Sequence, residues 1–160
     1  MAVSEIIGAA VGVILLVIVA YVVVGSTLYA AETMANTQKD LTLAQEARIR
    51  TSFSIADPRY NSSIILANIT NSGTEIISDF KHMDVLVYDS NFNDYRLYPY
   101  AAGDPVTPGT WGIENRYSDF IHPYELDPGE TYEIRVNTGG SSPEWFQITT
   151  GNGVSASAYV

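Results

Sequence analysis

The pattern of apolar and polar positions divides this chain into three stretches. From Ile6 to Ala31 it reads IIGAAVGVILLVIVAYVVVGSTLYAA, without a charged side chain. About 20 such residues cross a bilayer core as a helix. A lone spanning segment must be helical, because lipid offers its backbone no hydrogen-bond partner. The stretch does not read as a secretory signal peptide: its apolar run is too long, and no Lys or Arg precedes it. The next stretch, ETMANTQKDLTLAQEARIRTSF, is polar but still helical in character. No Pro or Gly lies between Ser26 and Ser52, and good helix formers dominate. Leu28, Ala31 and Ala35, then Met34, Leu41 and Ala44, make a narrow apolar stripe. One continuous helix is expected from about Ser4 to Arg50, roughly 70 Å long.

From Thr51 the period shortens to two. Phe53 and Ile55 alternate with polar residues until Asp57-Pro58 breaks the run. Ile64–Ile69 reads as a strand, ended by the turn residues Asn71, Ser72 and Gly73. Met83–Asp89 is a strong strand, and Ser90-Asn91 can close a hairpin onto Phe92–Tyr98. Ala101–Gly112 is rich in Gly and Pro and predicts a long loop, followed by a weaker strand at Tyr117–Ile121. Asp127-Pro128-Gly129 is a turn, in which Pro presets one central residue and Gly relieves the next. Strands then follow at Thr131–Val136, Trp145–Thr149 and Val154–Tyr159, with Gly151-Asn152-Gly153 turning between the last two. Seven or eight short strands at this spacing predict a β-sandwich of immunoglobulin-like type. The fold class is therefore mainly β with one long N-terminal helix. Residues 1–50 form a hydrophobic, transmembrane or pilin-like helix and stalk, and residues 51–160 a soluble sandwich domain. Its core is expected to contain Phe53, Ile55, Ile65, Val85, Val87, Tyr132, Ile134, Val136, Phe146 and Ile148.

Composition narrows the function. After the helix about 110 residues remain, enough for one domain of ordinary size. The chain has no cysteine, so neither a disulfide nor a thiolate metal site can staple it. Its net charge is −10, and from Asp57 onward 14 acidic residues face 5 basic ones. That balance disfavours nucleic acid and anionic lipid as ligands of the domain.

Candidate chemistry is sparse. His82 and His122 have no second ligand at metal spacing and read as surface histidines. No nucleophile elbow, phosphate loop or dinucleotide fingerprint occurs. Asp89, Asn91 and Asn93 resemble the start of a calcium loop, but Asp94 replaces its glycine and Tyr100 its closing glutamate. A polar hairpin tip is the better reading. No catalytic, cofactor-binding or metal residue is assigned. Asn61-Ser62-Ser63 and Asn68-Ile69-Thr70 make Asn61 and Asn68 candidate glycosylation acceptors.

The remaining candidates concern the helix. Gly8 and Gly12 have a small-xxx-small spacing that permits close helix contact. With Leu15, Val19 and Leu28 they are the expected residues of membrane anchoring or helix-bundle packing. Tyr21 and Tyr29 are candidates for an interfacial belt. Glu5 has two readings: a carboxylate favoured by the helix dipole in the first turn, with Ser4 as cap, or a partner for the N-terminal amine of a neighbouring subunit in a bundle. Lys39, Arg48 and Arg50 follow the apolar run and no basic residue precedes it. By that count alone the domain would face the cytoplasm.

AVSEIIG before a long apolar helix resembles the N-terminus of archaeal type IV pilin-like proteins. The continuation STLYAAETM…AQEARIRTSFSI, NITNSGTEI, DVLVYD, LDPGETYEIRV and TTGNGVSASAYV resembles the accessory stator proteins of the archaellum, the archaeal flagellum, the F-type most and the G-type as its relative. The resemblance implies a structural, non-enzymatic component of the motility apparatus. Its helix would sit in the cytoplasmic membrane, with the sandwich outside and bound to the surface layer, against the charge count. The alternative it implies is a filament-forming archaellin or pilin subunit, with the helices packed in the fibre core. No basic leader precedes Ala2, which fits either an uncleaved stator-type chain or a mature one. In the second case Glu5 falls where mature pilins often carry a glutamate. Expected partners are the membrane or identical helices, surface-layer protein, other archaellum components and further copies of the chain, with no nucleic acid. The C-terminal VSASAYV is small-residued and uncharged, and reads as an unprotected sheet edge.

Overall fold

In the computed structural model, which describes residues 2–103, 107–117, 119–140 and 142–160, a 49-residue helix α1 (Ala2–Arg50) precedes eight strands. These are β1 (Phe53–Asn61), β2 (Ile64–Asn71), β3 (Asp84–Asp89), β4 (Asp94–Tyr98), β5 (Thr110–Tyr117), β6 (Thr131–Asn137), β7 (Pro143–Thr149) and β8 (Ser155–Tyr159). The chain forms two compact units, Met1–Ala44 and Gln45–Val160. The last residues of α1, from Gln45, thus belong with the strands.

The strands form two antiparallel four-stranded sheets, in the orders β1-β2-β6-β5 and β4-β3-β7-β8. The first matches the A-B-E-D sheet of an immunoglobulin-like sandwich, and the second is its C-F-G sheet with an added strand beside C. The expected fold class is therefore the observed one. β8 is an edge strand, as expected of the C-terminal segment.

Alternation of side chains builds the core. On β2, Ile65, Ala67, Ile69 and Asn71 point inward; on β3, Val85, Val87 and Asp89 do. Tyr132, Ile134 and Val136 on β6 and Phe146 and Ile148 on β7 complete the interior. Nine of the ten expected core residues are buried; Ile55 is the exception, packed against the core margin on an edge strand. Trp111, Met83, Leu126, Ile69 and Tyr98 are buried without having been expected to be.

Several boundaries differ from expectation. Asp57-Pro58 does not break β1. Asp57 takes φ 49°, and the register with β2 shifts between Ala56 and Arg59, so the proline sits in a bulge on an edge strand. β1 continues to Asn61 and turns into β2 through Ser62 and Ser63, both at positive φ. The hairpin after β3 is closed by Ser90–Asn93, not by two residues, so β4 begins at Asp94 instead of Phe92. The largest shift concerns the fifth strand, which runs over Thr110–Tyr117 instead of Tyr117–Ile121. Trp111 and Gly112 therefore belong to a strand, not to the expected loop; of that loop 104–106, and of the expected strand Ser118, lie outside the described residues. Trp111 determines the outcome: its indole is fully buried and packs edge-on against Tyr100 at 4.9 Å.

Where α1 ends, the backbone carbonyls find partners in the turn after β2. The carbonyl of Arg50 accepts from the N–H groups of Thr74 and Glu75, and that of Ser52 from Ser72 and Gly73. Gly73 permits this approach, since a Cβ there would stand 2.4 Å from the Arg50 carbonyl oxygen.

Candidate functional site

No group of three or more metal-ligating residues occurs among the described residues. The features with functional content are surfaces, and the first is α1. The apolar span is exposed throughout: Leu15, Val19 and Leu28 all show more than half their surface. A Cβ added at Gly8 or Gly12 would meet nothing within 4 Å. Glu5 lies in the first turn, and Arg48 and Arg50 in the last, the arrangement the helix dipole favours. Gly8, Gly12, Leu15 and Val19 recur at spacings of four, three and four, which places them along one side of the helix. Polar groups near the apolar run are satisfied locally. The hydroxyls of Ser26 and Thr27 donate to the carbonyl of Val23 at 2.9 and 3.0 Å. Such a helix presents no unpaired hydroxyl to an apolar environment at those positions. Its length and composition suffice to cross a membrane.

Arg50, one of the three basic residues after the span, contacts Glu46 at 3.2 Å and Glu75 at 3.7 Å. Its charge is thus engaged in the folded unit.

The two sheets have different outer faces. On the β1-β2-β6-β5 sheet the outward positions of β6, Thr131, Glu133, Arg135 and Asn137, are polar. Glu133 is buried there beneath Arg59, with which it pairs. It also accepts from Asn115 at 2.6 Å and from the Tyr117 hydroxyl at 3.3 Å. Arg135 pairs with Glu114 at 2.8 Å. On the β4-β3-β7-β8 sheet an aromatic row crosses all four strands: Tyr95, Tyr88, Trp145 and Tyr159 are register neighbours in turn. Sequence reasoning did not single out this row. Its signal was present, since each residue adjoins an inward position of a period-two strand, but only the register aligns the four.

Both histidines lie at the surface, as expected, His82 at the end of a short 3-10 turn, Phe80–His82, and His122 in the segment before β6. His82 lies 2.7 Å from Asp79 and is exposed. His122 is half-exposed, and its Nδ1 lies 2.8 Å from Oδ1 of buried Asp127. That hydrogen bond, with the Asp127 charge, raises the His122 pKa above 6.5. The same carboxylate accepts the His122 backbone N–H, while Glu130 accepts the N–H of Asp127. The Asp-Pro-Gly turn is therefore held by buried acids whose oxygens receive backbone donors. Beside it, burial first and Asp119 second push the Tyr132 phenol well above its usual range.

The calcium-like triplet is committed to its hairpin. Asp89 Oδ1 accepts the Asn91 N–H at 3.0 Å, Asn91 reaches the Ser142 hydroxyl at 2.8 Å, and the Tyr88 hydroxyl donates to Asn93 at 2.7 Å. Asn61 is exposed at the β1–β2 turn, where a glycan has room. Asn68 is half-buried in the middle of β2, between β1 and β6.

No known family profile matches the chain, and no curated protein matches it. Among solved structures it is similar to the archaellum periplasmic stator protein FlaG from Sulfolobus acidocaldarius, with 20% identity over 69% of this chain and 99% of that one, TM-score 0.49. It is also similar to a chain of the archaellum periplasmic stator protein complex of FlaF and FlaG from Sulfolobus acidocaldarius, with 19% identity over 68% of this chain and 87% of that one, TM-score 0.48. A third similar structure is the archaeal flagellin FlaB1 from Methanocaldococcus jannaschii, with 11% identity over 68% of this chain and 88% of that one, TM-score 0.49. The first two are named as archaellum stator proteins and the third as an archaeal flagellin.

Proposed function

We propose that this protein is a non-enzymatic structural component of the archaellum, a stator-type protein anchored in the cytoplasmic membrane by α1. Its sandwich lies outside the membrane and binds the surface layer, giving a rotating filament a fixed support. One observation carries the reading: a charge-free span, Ile6–Ala31, exposed along its whole length, is continued by an immunoglobulin-like sandwich. An apolar helix that its own chain does not cover belongs in lipid or among other helices. The resemblance of AVSEIIG and of the later segments to pilin-like and stator proteins supplies the apparatus. Protease added outside intact, surface-layer-stripped cells should digest the sandwich. Digestion only after the membrane is opened would overturn the placement.

Glu5 favours a second reading, a filament subunit whose helices form the fibre core. A carboxylate in the first turn is suited to meet the terminal amine of a neighbouring copy. The two readings differ in what surrounds residues 6–31. Cysteine cross-linking at Gly12 in native envelopes distinguishes them: regular ladders of copies mark a fibre, whereas monomers or dimers in the membrane fraction mark the anchored protein.

A further inference from the structure

The aromatic row on the outer face of the second sheet encloses a cleft of about 260 Å³, lined by Tyr88, Tyr95, Glu144, Trp145 and Tyr159. We propose that this cleft is a binding site for an organic cation, the guanidinium or ammonium group of a basic side chain on a partner protein.

The rings beside the cleft brace one another. Tyr95 meets Trp145 edge-on, with ring centroids 6.1 Å apart and planes at 88°. Tyr88 lies 5.0 Å from Tyr95, its plane tilted by 48°. Four aromatic side chains line this hollow, and the electron-rich face of a ring attracts a cation that reaches it. The Tyr88 hydroxyl is held by Asn93, so that wall is fixed before any ligand arrives. Glu144 adds a carboxylate to the lining, which favours a cation over a neutral ring or an acid.

The cation is assigned to another protein, because this domain has few to offer. Of the five basic residues after Asp57, Arg59 pairs with Glu133 and Arg135 with Glu114. Arg96 lies over the Phe92 ring at 4.4 Å, and Arg116 over Tyr124 at 5.0 Å. Lys81, the fifth, is exposed, but the strongly acidic domain disfavours a like-charged neighbour. A basic partner is steered toward it. The site does not depend on the stator reading, since it rests on the sandwich alone.

The chain has two tryptophans, and they make the test internally controlled. Trp111 is buried in the core, while Trp145 lines the cleft. The full-length protein in detergent, labelled with ¹⁵N-tryptophan, is titrated with a capped pentapeptide alternating glycine and arginine. The glutamate analogue and a neutral maltohexaose serve as comparisons. A saturable shift of the Trp145 indole N–H with the arginine peptide alone is expected, with Trp111 unmoved. Glu144→Gln, an exposed change that leaves the fold intact, should weaken the peptide several-fold. Trp145→Ala, followed by calorimetry, should weaken it about tenfold, the scale of a desolvated cation–π contact. No saturable shift, a response to the oligosaccharide as strong as to the peptide, or unchanged affinity in Glu144→Gln would each overturn the proposal.

Discussion

The helix and the sandwich are both rich in large apolar residues, yet they dispose of them in opposite ways. Ile14, Leu15, Leu16 and Val17 on α1 are each more than half exposed, whereas Ile65, Ile134 and Ile148 on the strands are fully buried. The strands alternate, so every second side chain enters a core made by the opposite sheet. The span Ile6–Ala31 is apolar around its whole circumference, so covering one face would leave the others exposed. The sandwich is thus stabilised from within, while the helix depends on a medium or on like helices.

That division can be broken at its centre. Trp111→Ala removes the largest side chain of the core. It should destabilise the sandwich by about 3–5 kcal/mol, seen as a large drop in the calorimetric Tm. A drop under about 1 kcal/mol would mean that the sandwich does not rest on its interior. Val19→Arg makes the converse test on the helix. It should weaken insertion by about 2.5–3.5 kcal/mol for a residue near the middle of the span, and shift the protein from the membrane to the soluble fraction. The Tm of the sandwich should stay unchanged.

Smaller effects are expected where structure is held by close approach or by charge. Gly73→Ala forces a Cβ against the Arg50 carbonyl and should cost about 1–3 kcal/mol in denaturant unfolding. Glu133→Ala removes the acceptor shared by Arg59, Asn115 and Tyr117. Because Arg59 is largely exposed, water screens its part of the loss, and about 1–2 kcal/mol is expected, measured the same way.

The smallest effect is a pH dependence. The folded chain holds the His122 proton more tightly than the unfolded one, since Asp127 raises its pKa above 6.5. The resulting stabilisation is complete below pH 6.5 and is lost as pH rises through the raised folded value. The Tm of the wild type, less that of His122→Ala, should therefore fall as pH rises above 6.5 through the raised folded value. A difference that grows with pH would show that His122 is not the proton holder.

Much of this was legible along the chain. A charge-free run such as Ile6–Ala31 has one solution in an apolar medium, and the clean alternation of Thr131–Val136 has one inward face. These are local periodicities, and they need no knowledge of what lies opposite. The misread segment shows where local reasoning stops. Gly, Pro and Thr between Ala101 and Gly112 signal a loop, and nothing nearby says that Trp111 fills the space beside Tyr100. Asp57-Pro58 likewise signals a break, because proline has no N–H to give to a ladder. Only the partner strand β2 shows that a bulge accommodates them.

The run of apolar residues, the change of period at Thr51 and the acidic balance were determined by sequence alone, because each is a sum over near neighbours. Pairing was decided elsewhere. Which strands adjoin, and in what register, depends on contacts between residues far apart in the chain, and a slip of one residue would turn every side chain to the other face. Tyr88, Tyr95, Trp145 and Tyr159 are scattered over 72 positions and become one row only through three antiparallel registers. Glu133 and Asp127 are ordinary acids in the sequence. The fold buries both and surrounds them with donors, giving each a structural role that no local pattern carries.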